Sequence, residues 1–221
     1  MMTLAIELAG ERVLLDARRA LVWPREGALL IADLHLGKAS LMRQAGAALP
    51  RGTTTADLER LSTLVADYRP QHLLVLGDLT HGAETVDAPW LVRFAEWRHA
   101  HAALEITLVA GNHDRHMTLP DLGITVVPQL DMAPFHLCHA PALHAQLHVV
   151  AGHLHPAARF RDGRMAQRWP AFWIGDQRSV LPAFGSLTGL SPSSPDQIDC
   201  VYAVTPGGIL ALRPVDSATQ R

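Results

Sequence analysis

Apolar positions along this chain fall into three patterns, each predicting a different kind of element. Near the N-terminus, Thr3 to Leu8, Arg12 to Leu15 and Ala20 to Trp23 are short mixed runs broken at Gly10-Glu11 and Pro24, which reads as a series of short β segments. Five later runs are almost wholly apolar and of the right length for buried strands: Leu29 to Ala32, Leu73 to Leu76, Ile106 to Val109, Phe135 to Cys138 and His148 to Ala151. Between them, Leu58, Leu61, Leu64, Val65 and Tyr68 recur at helical spacing, and Thr54 with Asp57 three residues on predicts a capping box at the start of that helix. A second helix is expected from Asp87, with Pro89 in its first turn and Trp90, Phe94 and Trp97 as a core-facing stripe, not a base-stacking platform. Past residue 156 short strands return at Ala157 to Phe160, Met165 to Trp169, Phe172 to Gly175, Cys200 to Thr205 and Ile209 to Leu212, with Gly207-Gly208 as a hairpin turn. That pattern predicts a second sheet packed on the first. Ser191 to Pro195 reads as a loop, and we expect one domain over residues 1–214 with a polar tail over 215–221.

Every one of the five apolar runs is followed by residues that bind metals. The blocks are Asp33-Leu34-His35, Gly77-Asp78, Gly111-Asn112-His113-Asp114, His139, and Gly152-His153-Leu154-His155. In open α/β sheets ligands gather at the carboxyl ends of strands, so these loops should converge. Glycine precedes the donor in three blocks, where a residue without Cβ allows close backbone approach. Asp-x-His and His-x-His place both side chains on one face if the backbone is a regular strand. Asn112 and His113 offer a neutral oxygen donor beside a proton donor, and Asp114 is positioned to hold that imidazole in one tautomer. Singly, each block has a plain alternative: a chance Asp-x-His, a Gly-Asp turn, or half-exposed histidines in a chain with 13 of them. Together they indicate a metal site. Mixed carboxylate, imidazole and amide donors suit Mn, with Fe or Zn as alternatives, better than the all-oxygen sites of Mg or Ca.

Charge and composition narrow the partners. The chain has 221 residues, 48% of them hydrophobic, and a net charge of −2, so no global basic field would hold nucleic acid. A local one is conceivable between Arg159 and Arg178, where Arg159, Arg161, Arg164, Arg168 and Arg178 outnumber Asp162 and Asp176; the plainer reading is a solvated hairpin around Asp162-Gly163. Cys138 and Cys200 lack the spacing of a disulfide framework or zinc ribbon and are expected as small buried residues, with Cys138 turned away from His139. No run is long enough for a membrane span and Met1 to Asp16 lacks a signal-peptide core, so a cytoplasmic location without membrane contact is expected.

The blocks in this order resemble the calcineurin-like metallophosphoesterases, whose pattern is DxH, GD, GNH(D/E), H and GHxH, here spanning residues 29 to 155. The resemblance implies an α/β fold, a four-layer αββα sandwich of two mixed β-sheets flanked by helices, with two divalent metal ions. Asp33, His35, Asp78 and His155 would hold one ion; Asp78, as the bridge, would hold the other with Asn112, His139 and His153. His113 would be the general acid. A finer resemblance is to the DNA-ligase-associated metallophosphoesterases, described as DNA damage response endonucleases of the PdeM type. It is carried by Ala32 to Ala39, Pro50-Arg51-Gly52-Thr53-Thr54, Gly152 to Pro156 and Leu181-Pro182-Ala183-Phe184-Gly185. It implies DNA as substrate, a role in DNA repair, and a functional association with an ATP-dependent DNA ligase and a helicase.

Physically, two divalent ions answered only by Asp33 and Asp78 leave the site net positive, and a bridging hydroxide could attack a phosphodiester while His113 protonates the leaving oxygen. Competing readings are a phosphatase or pyrophosphohydrolase of nucleotides or other small phosphoesters, and a non-catalytic binding module. His81, close behind Asp78, has no role legible in the sequence.

Overall fold

The computed structural model describes residues 1–82, 88–114, 121–162, 165–191 and 198–212. Two mixed sheets pack face to face. In the first, β1 (Thr3–Leu8), β2 (Glu11–Asp16), β3 (Ala20–Trp23) and β4 (Ala28–Ile31) form an antiparallel meander. From β4 the pairing turns parallel through β5 (His72–Leu76), β6 (Glu105–Val109) and β7 (Ile124–Val127). Parallel neighbours need a crossover. Helices α1 (Lys38–Gln44) and α2 (Thr53–Tyr68) occupy the one between β4 and β5, and α3 (Pro89–Ala100) the one between β5 and β6.

The second sheet comprises β8 (Leu130–Met132), β9 (Phe135–Cys138), β10 (His148–Ala151), β12 (Met165–Ile174), β13 (Arg178–Val180), β14 (Cys200–Thr205) and β15 (Gly208–Leu212). Its order is β15-β14-β12-β13-β10-β9-β8, with β11 (Ala157–Asp162) paired to β12. The Met165 to Gly175 region is therefore one strand where two were expected. It runs through Pro170 because it changes partner there: Met165 to Pro170 pair with β11, and Ala171 to Ile174 with β14. A proline is tolerated where one ladder hands over to another.

Side-chain alternation divides the core. Leu29, Ile31, Leu73, Val75, Ile106 and Leu108 face the helices and meet Leu58, Leu61, Leu64, Phe94 and Trp97. Their neighbours Leu30, Leu74, Leu76 and Val109 point inward against Phe135, Leu137, Val150 and Phe172 of the second sheet. Truncating a fully buried member such as Leu61 or Leu30 to alanine would cost about 2–5 kcal/mol. The aromatic stripe of α3 is core, and Trp97 Nε1 donates to Ser62 Oγ at 2.9 Å, tying α3 to α2. The described helices all follow strands of the first sheet; the outer face of the second carries the cluster of Ala158, Trp173, Phe160 and Trp169.

The capping box at Thr54 does not form. The N-cap of α2 lies two residues earlier, at Gly52 in the left-handed conformation, without a side-chain cap. Asp57 instead ion-pairs with Arg60 at 2.8 Å and accepts from Ser186 N at 3.0 Å. The expected helix start at Asp87, the Gly163 turn, Arg164, residues 192–195 and the tail lie outside the described residues. No described helix is long and apolar enough to cross a membrane.

Candidate metal centre

The ligand loops follow β4, β5 and β6 of the first sheet and β9 and β10 of the second, so both sheets deliver donors to one edge of the sandwich. The loops are sewn together by backbone hydrogen bonds: Asp33 N to Gly77 O (3.1 Å), His35 N to Asp78 O (2.9 Å) and Gly152 N to His139 O (3.0 Å). Close approach explains the glycines. A Cβ on Gly77 would overlap the His139 ring, and one on Gly111 would overlap the Asp78 carboxylate.

The donors do not converge by strand alternation. Strand β4 ends at Ile31, and Asp33, His35, Asp78, His153 and His155 all have positive φ, between 47° and 68°. Left-handed backbone at non-glycine residues costs of order 1–3 kcal/mol each and persists only where surrounding structure enforces it. Asp-x-His thus reaches one face through two left-handed residues. The expected outcome holds, but a strand pleat does not produce it.

The side chains gather as two adjoining groups, Asp33/His35/His155 and Asp78/His139/His153. In the first, His35 Nε2 lies 3.3 Å from His155 Nε2, and His155 Nε2 lies 3.4 Å from Asp33 Oδ1. In the second, His139 Nε2 lies 3.0 Å from His153 Nδ1 and 3.1 Å from Asn112 Oδ1. Asp78 stands between them, its Oδ2 at 3.8 Å from His35 Nε2 and 3.5 Å from His139 Nε2, while its Oδ1 accepts from His113 N at 3.0 Å.

Two observations test whether this set fits metal ions. Asp33 is 0% exposed and its Oδ1 has no hydrogen-bond partner, although Oδ2 accepts from His153 N at 2.9 Å. A buried carboxylate oxygen left bare is costly unless a cation answers it. Further, His139 Nδ1 lies 3.2 Å from Leu76 O, which aims its Nε2 at the Asn112 carbonyl oxygen (3.1 Å) and the Asp78 carboxylate (3.5 Å). Lone pairs crowded in this way are what a cation reconciles, and the backbone bond on the far ring nitrogen is the usual support of a ligating histidine. The residues fit. Burial, with Lys38 and the neighbouring imidazoles, pushes His35 down to about 2, and burial lowers His153, so both present free lone pairs at neutral pH.

His113 stands at the mouth, its side chain 36% exposed and its Nε2 4.0 Å from Asp78 Oδ2. Asp114 does not hold it. The Asp114 carboxylate accepts from Thr80 N (3.1 Å), Thr80 Oγ1 (3.3 Å) and Gly111 N (2.9 Å), because the tight turn at 111–114 folds it back under the loop. It is a brace for the β5 and β6 loops, and burial raises its pKa.

His81 acquires a place. Its Nδ1 lies 2.9 Å from His35 Nδ1, and its ring stacks on His113 with centroids 4.4 Å apart. With His35 Nε2 turned to the metal groups, His35 Nδ1–H donates to His81 and fixes the His35 ring. Burial and Lys38 lower His81 to about 4, so it is neutral and can accept. The loop after β13 (Arg178–Val180) is a second support: Gly185 N donates to Asp33 O at 3.1 Å, and a Cβ at Gly185 would overlap Leu34 O. In the sequence this segment, Leu181 to Gly185, stood out only through the finer family resemblance and its Pro182 and Gly185.

Cys138 is buried with Val149 and Ala151, away from the donors, as alternation predicts; Cys200 is half-buried. Arg159, Arg161 and Arg168 stand exposed on the β11–β12 pair, Arg159 opposite Arg168. A further cluster, Asp131/His136/His144, has its imidazoles engaged: His136 Nδ1 is 2.5 Å from Asp131 Oδ1, and His144 Nδ1 accepts from Leu147 N at 3.0 Å.

The model of the family described as calcineurin-like phosphoesterase matches residues 28–208. The chain belongs to that family. Among solved structures, it is 39% identical to the Pseudomonas putida nuclease MPE, over 95% of this chain and 100% of that one, with a TM-score of 0.82. It also matches YfcE, a phosphoesterase from E. coli, at 20% identity, over 84% of this chain and 98% of that one, with a TM-score of 0.44. Comparison with curated proteins gives no significant match. The protein is a metal-dependent phosphoesterase, with candidate His and Asp ligands assembled at one edge of two mixed sheets.

Proposed function

We propose that this phosphoesterase is a dinuclear-metal phosphodiesterase that acts as an endonuclease on DNA in repair, of the DNA-ligase-associated type, with Mn as its metal. The observation that carries the diesterase chemistry is His113, a half-buried imidazole at the mouth beside the carboxylate that stands between the two donor groups. The nuclease part is supported by the 39% identity to a protein described as a nuclease.

Asp33, His35 and His155 would hold one ion, Asn112, His139 and His153 the other, and Asp78 both. Bound there, two divalent ions supply Lewis-acid stabilisation of the phosphoryl oxygens and an acidified water. His113 reaches over the donors from the open side and delivers its Nε2 proton to the departing oxygen. His81, stacked behind it, limits its rotation. Gly77 and Gly111 keep the loops close enough for the donors to stay in register.

The test is metal-stripped protein given Mn²⁺ and assayed on bis-p-nitrophenyl phosphate, p-nitrophenyl phosphate, and labelled single-stranded, nicked and duplex DNA. Diester turnover with internal cleavage of DNA is expected. Monoester turnover with intact DNA would replace the reading with a small-molecule phosphatase, and no turnover with any metal would leave a binding module. His113→Ala should slow DNA cleavage by about 10²–10⁴-fold. It should spare bis-p-nitrophenyl phosphate, whose leaving group departs without a proton; equal losses on both would remove His113 as the acid.

A further inference from the structure

We infer that the groove between α1 and the first turns of α2 and α3 is a track for the backbone phosphates of the nucleic-acid strand, held by Arg43, Arg51 and Arg93. The inference rests on the nuclease reading above and adds a binding site outside the metal centre.

The groove encloses about 400 Å³. Each of the three elements contributes one arginine to it or to its approach: Arg43 from the end of α1, Arg51 from the turn before α2, and Arg93 from α3. All three are exposed. Arg93 Nη1 donates to Thr55 Oγ1 at 2.9 Å and Arg43 Nη1 to Pro50 O at 3.4 Å, and among the described residues no carboxylate lines the groove. Elsewhere in the molecule arginines are answered, as Arg18 is by Asp16 and Asp67, and Arg60 by Asp57. Three guanidiniums lining one groove carry like charge, which a polyanion would answer. The net charge of −2 makes this a local feature, not a reflection of a basic protein.

Helix α2 adds to it. Its N-terminus lacks a side-chain cap, so the first N–H groups, on Thr53, Thr54 and Thr55, open onto the same space with the positive end of the helix dipole. The groove lies beside the metal centre. Thr53 and Thr54 line both it and a small pocket of about 10 Å³ that also carries Lys38, Asp57 and the metal-group residue His35. A strand whose scissile phosphate sits at the metals would pass over Lys38 at the surface to lay its next phosphates in the groove. The aromatic residue lining it, Trp90, is 4% exposed and offers no open face for base stacking. Contacts here are to phosphate, which position a strand without reading its sequence.

The experiment compares wild type with the Arg43→Ala/Arg51→Ala/Arg93→Ala variant and with the corresponding triple Arg→Lys variant, all loaded with Mn²⁺. Substrates are bis-p-nitrophenyl phosphate, which is too short to reach the groove, and a labelled DNA oligonucleotide. Binding of the oligonucleotide is followed as a function of salt. The alanine variant should hydrolyse the small diester within twofold of wild type and bind the oligonucleotide at least tenfold more weakly. Its slope of log affinity against log salt should be shallower by about 2, because each phosphate neutralised on a single strand contributes about 0.7 to that slope, and lysine should restore most of it. Unchanged affinity and slope, with DNA still cut, would overturn the groove and leave the nuclease reading intact. Parallel loss of the small-diester rate would also overturn it, by assigning the arginines to the fold. Wild type that turns over the small diester but leaves DNA intact would sink the nuclease reading itself.

Discussion

Asp16 and Asp33 are both buried carboxylates, 1% and 0% exposed, yet the fold treats them in opposite ways. Every acceptor position of Asp16 is met. Its Oδ1 accepts from Arg18 N (2.8 Å) and Nε (2.9 Å), and its Oδ2 from Arg18 Nη2 (2.7 Å) and Tyr68 OH (2.7 Å). Asp33 sits on left-handed backbone with one oxygen bare and imidazole nitrogens crowded around it. Nothing in folding alone recommends the second arrangement. Asp16 has donors on both oxygens, whereas Asp33, a candidate metal ligand, has a donor on one oxygen only.

That contrast can be broken most forcefully at Asp33. Asp33→Asn should lower phosphoesterase activity by about 10³-fold, several kcal/mol of lost charge stabilisation. In metal-free protein the same change should leave the melting temperature unchanged or raise it, since it removes a buried anion with an unpaired oxygen. A drop of several degrees would mean that Asp33 is a structural carboxylate like Asp16. The mirror experiment is Asp16→Ala, expected to cost about 1–3 kcal/mol of stability by leaving Arg18 and Tyr68 without their partner, with little change in rate per folded molecule. Burial alone would raise the Asp16 pKa, but Arg18 and Tyr68 outweigh it and hold it below the usual carboxylate value. A pKa lowered by folding gives stability that is present above the unfolded value of about 3.9 and lost as pH falls through the folded one. The stability gap between wild type and Asp16→Ala should therefore be flat from pH 7 to 5 and narrow below about 4; a gap that widens there would contradict the network. The smallest effect is His81→Ala. Loss of the partner that fixes His35 should weaken metal binding or activity by about 10–100-fold, and an unaltered metal affinity and rate would make His81 a bystander.

That these candidate donors would come together was legible in the sequence, because their types and spacing stand out however the backbone turns. How they converge was not legible. Asp33 and His35 were expected to share a face of a strand, but the strand ends at Ile31 and five left-handed residues perform the convergence. Only distant contacts enforce such backbone, and local spacing does not record them. Asp57 and Asp114 failed for a related reason: both looked like local partners, of Thr54 and His113, and both serve the long-range joining of loops. The long apolar runs at β4, β5, β6, β9 and β10 were readable because both faces of those strands are covered. Strand β7 has half-buried or exposed positions throughout, and β13 is three residues long, so neither carries a pattern apart from its neighbour. The arginine-rich stretch visible along the chain is 159–178, whereas the groove arginines 43, 51 and 93 are scattered in sequence and line one groove only in the fold.

Asp78 stands between the two donor groups and, as proposed, would join two metal sites into one centre. The most direct test is the metal content of Mn²⁺-loaded protein by elemental analysis, in wild type and Asp78→Asn. Two ions per wild-type chain and depletion of both in the variant are predicted; full occupancy in the variant, or loss of a single ion with the other still tightly held, would contradict it.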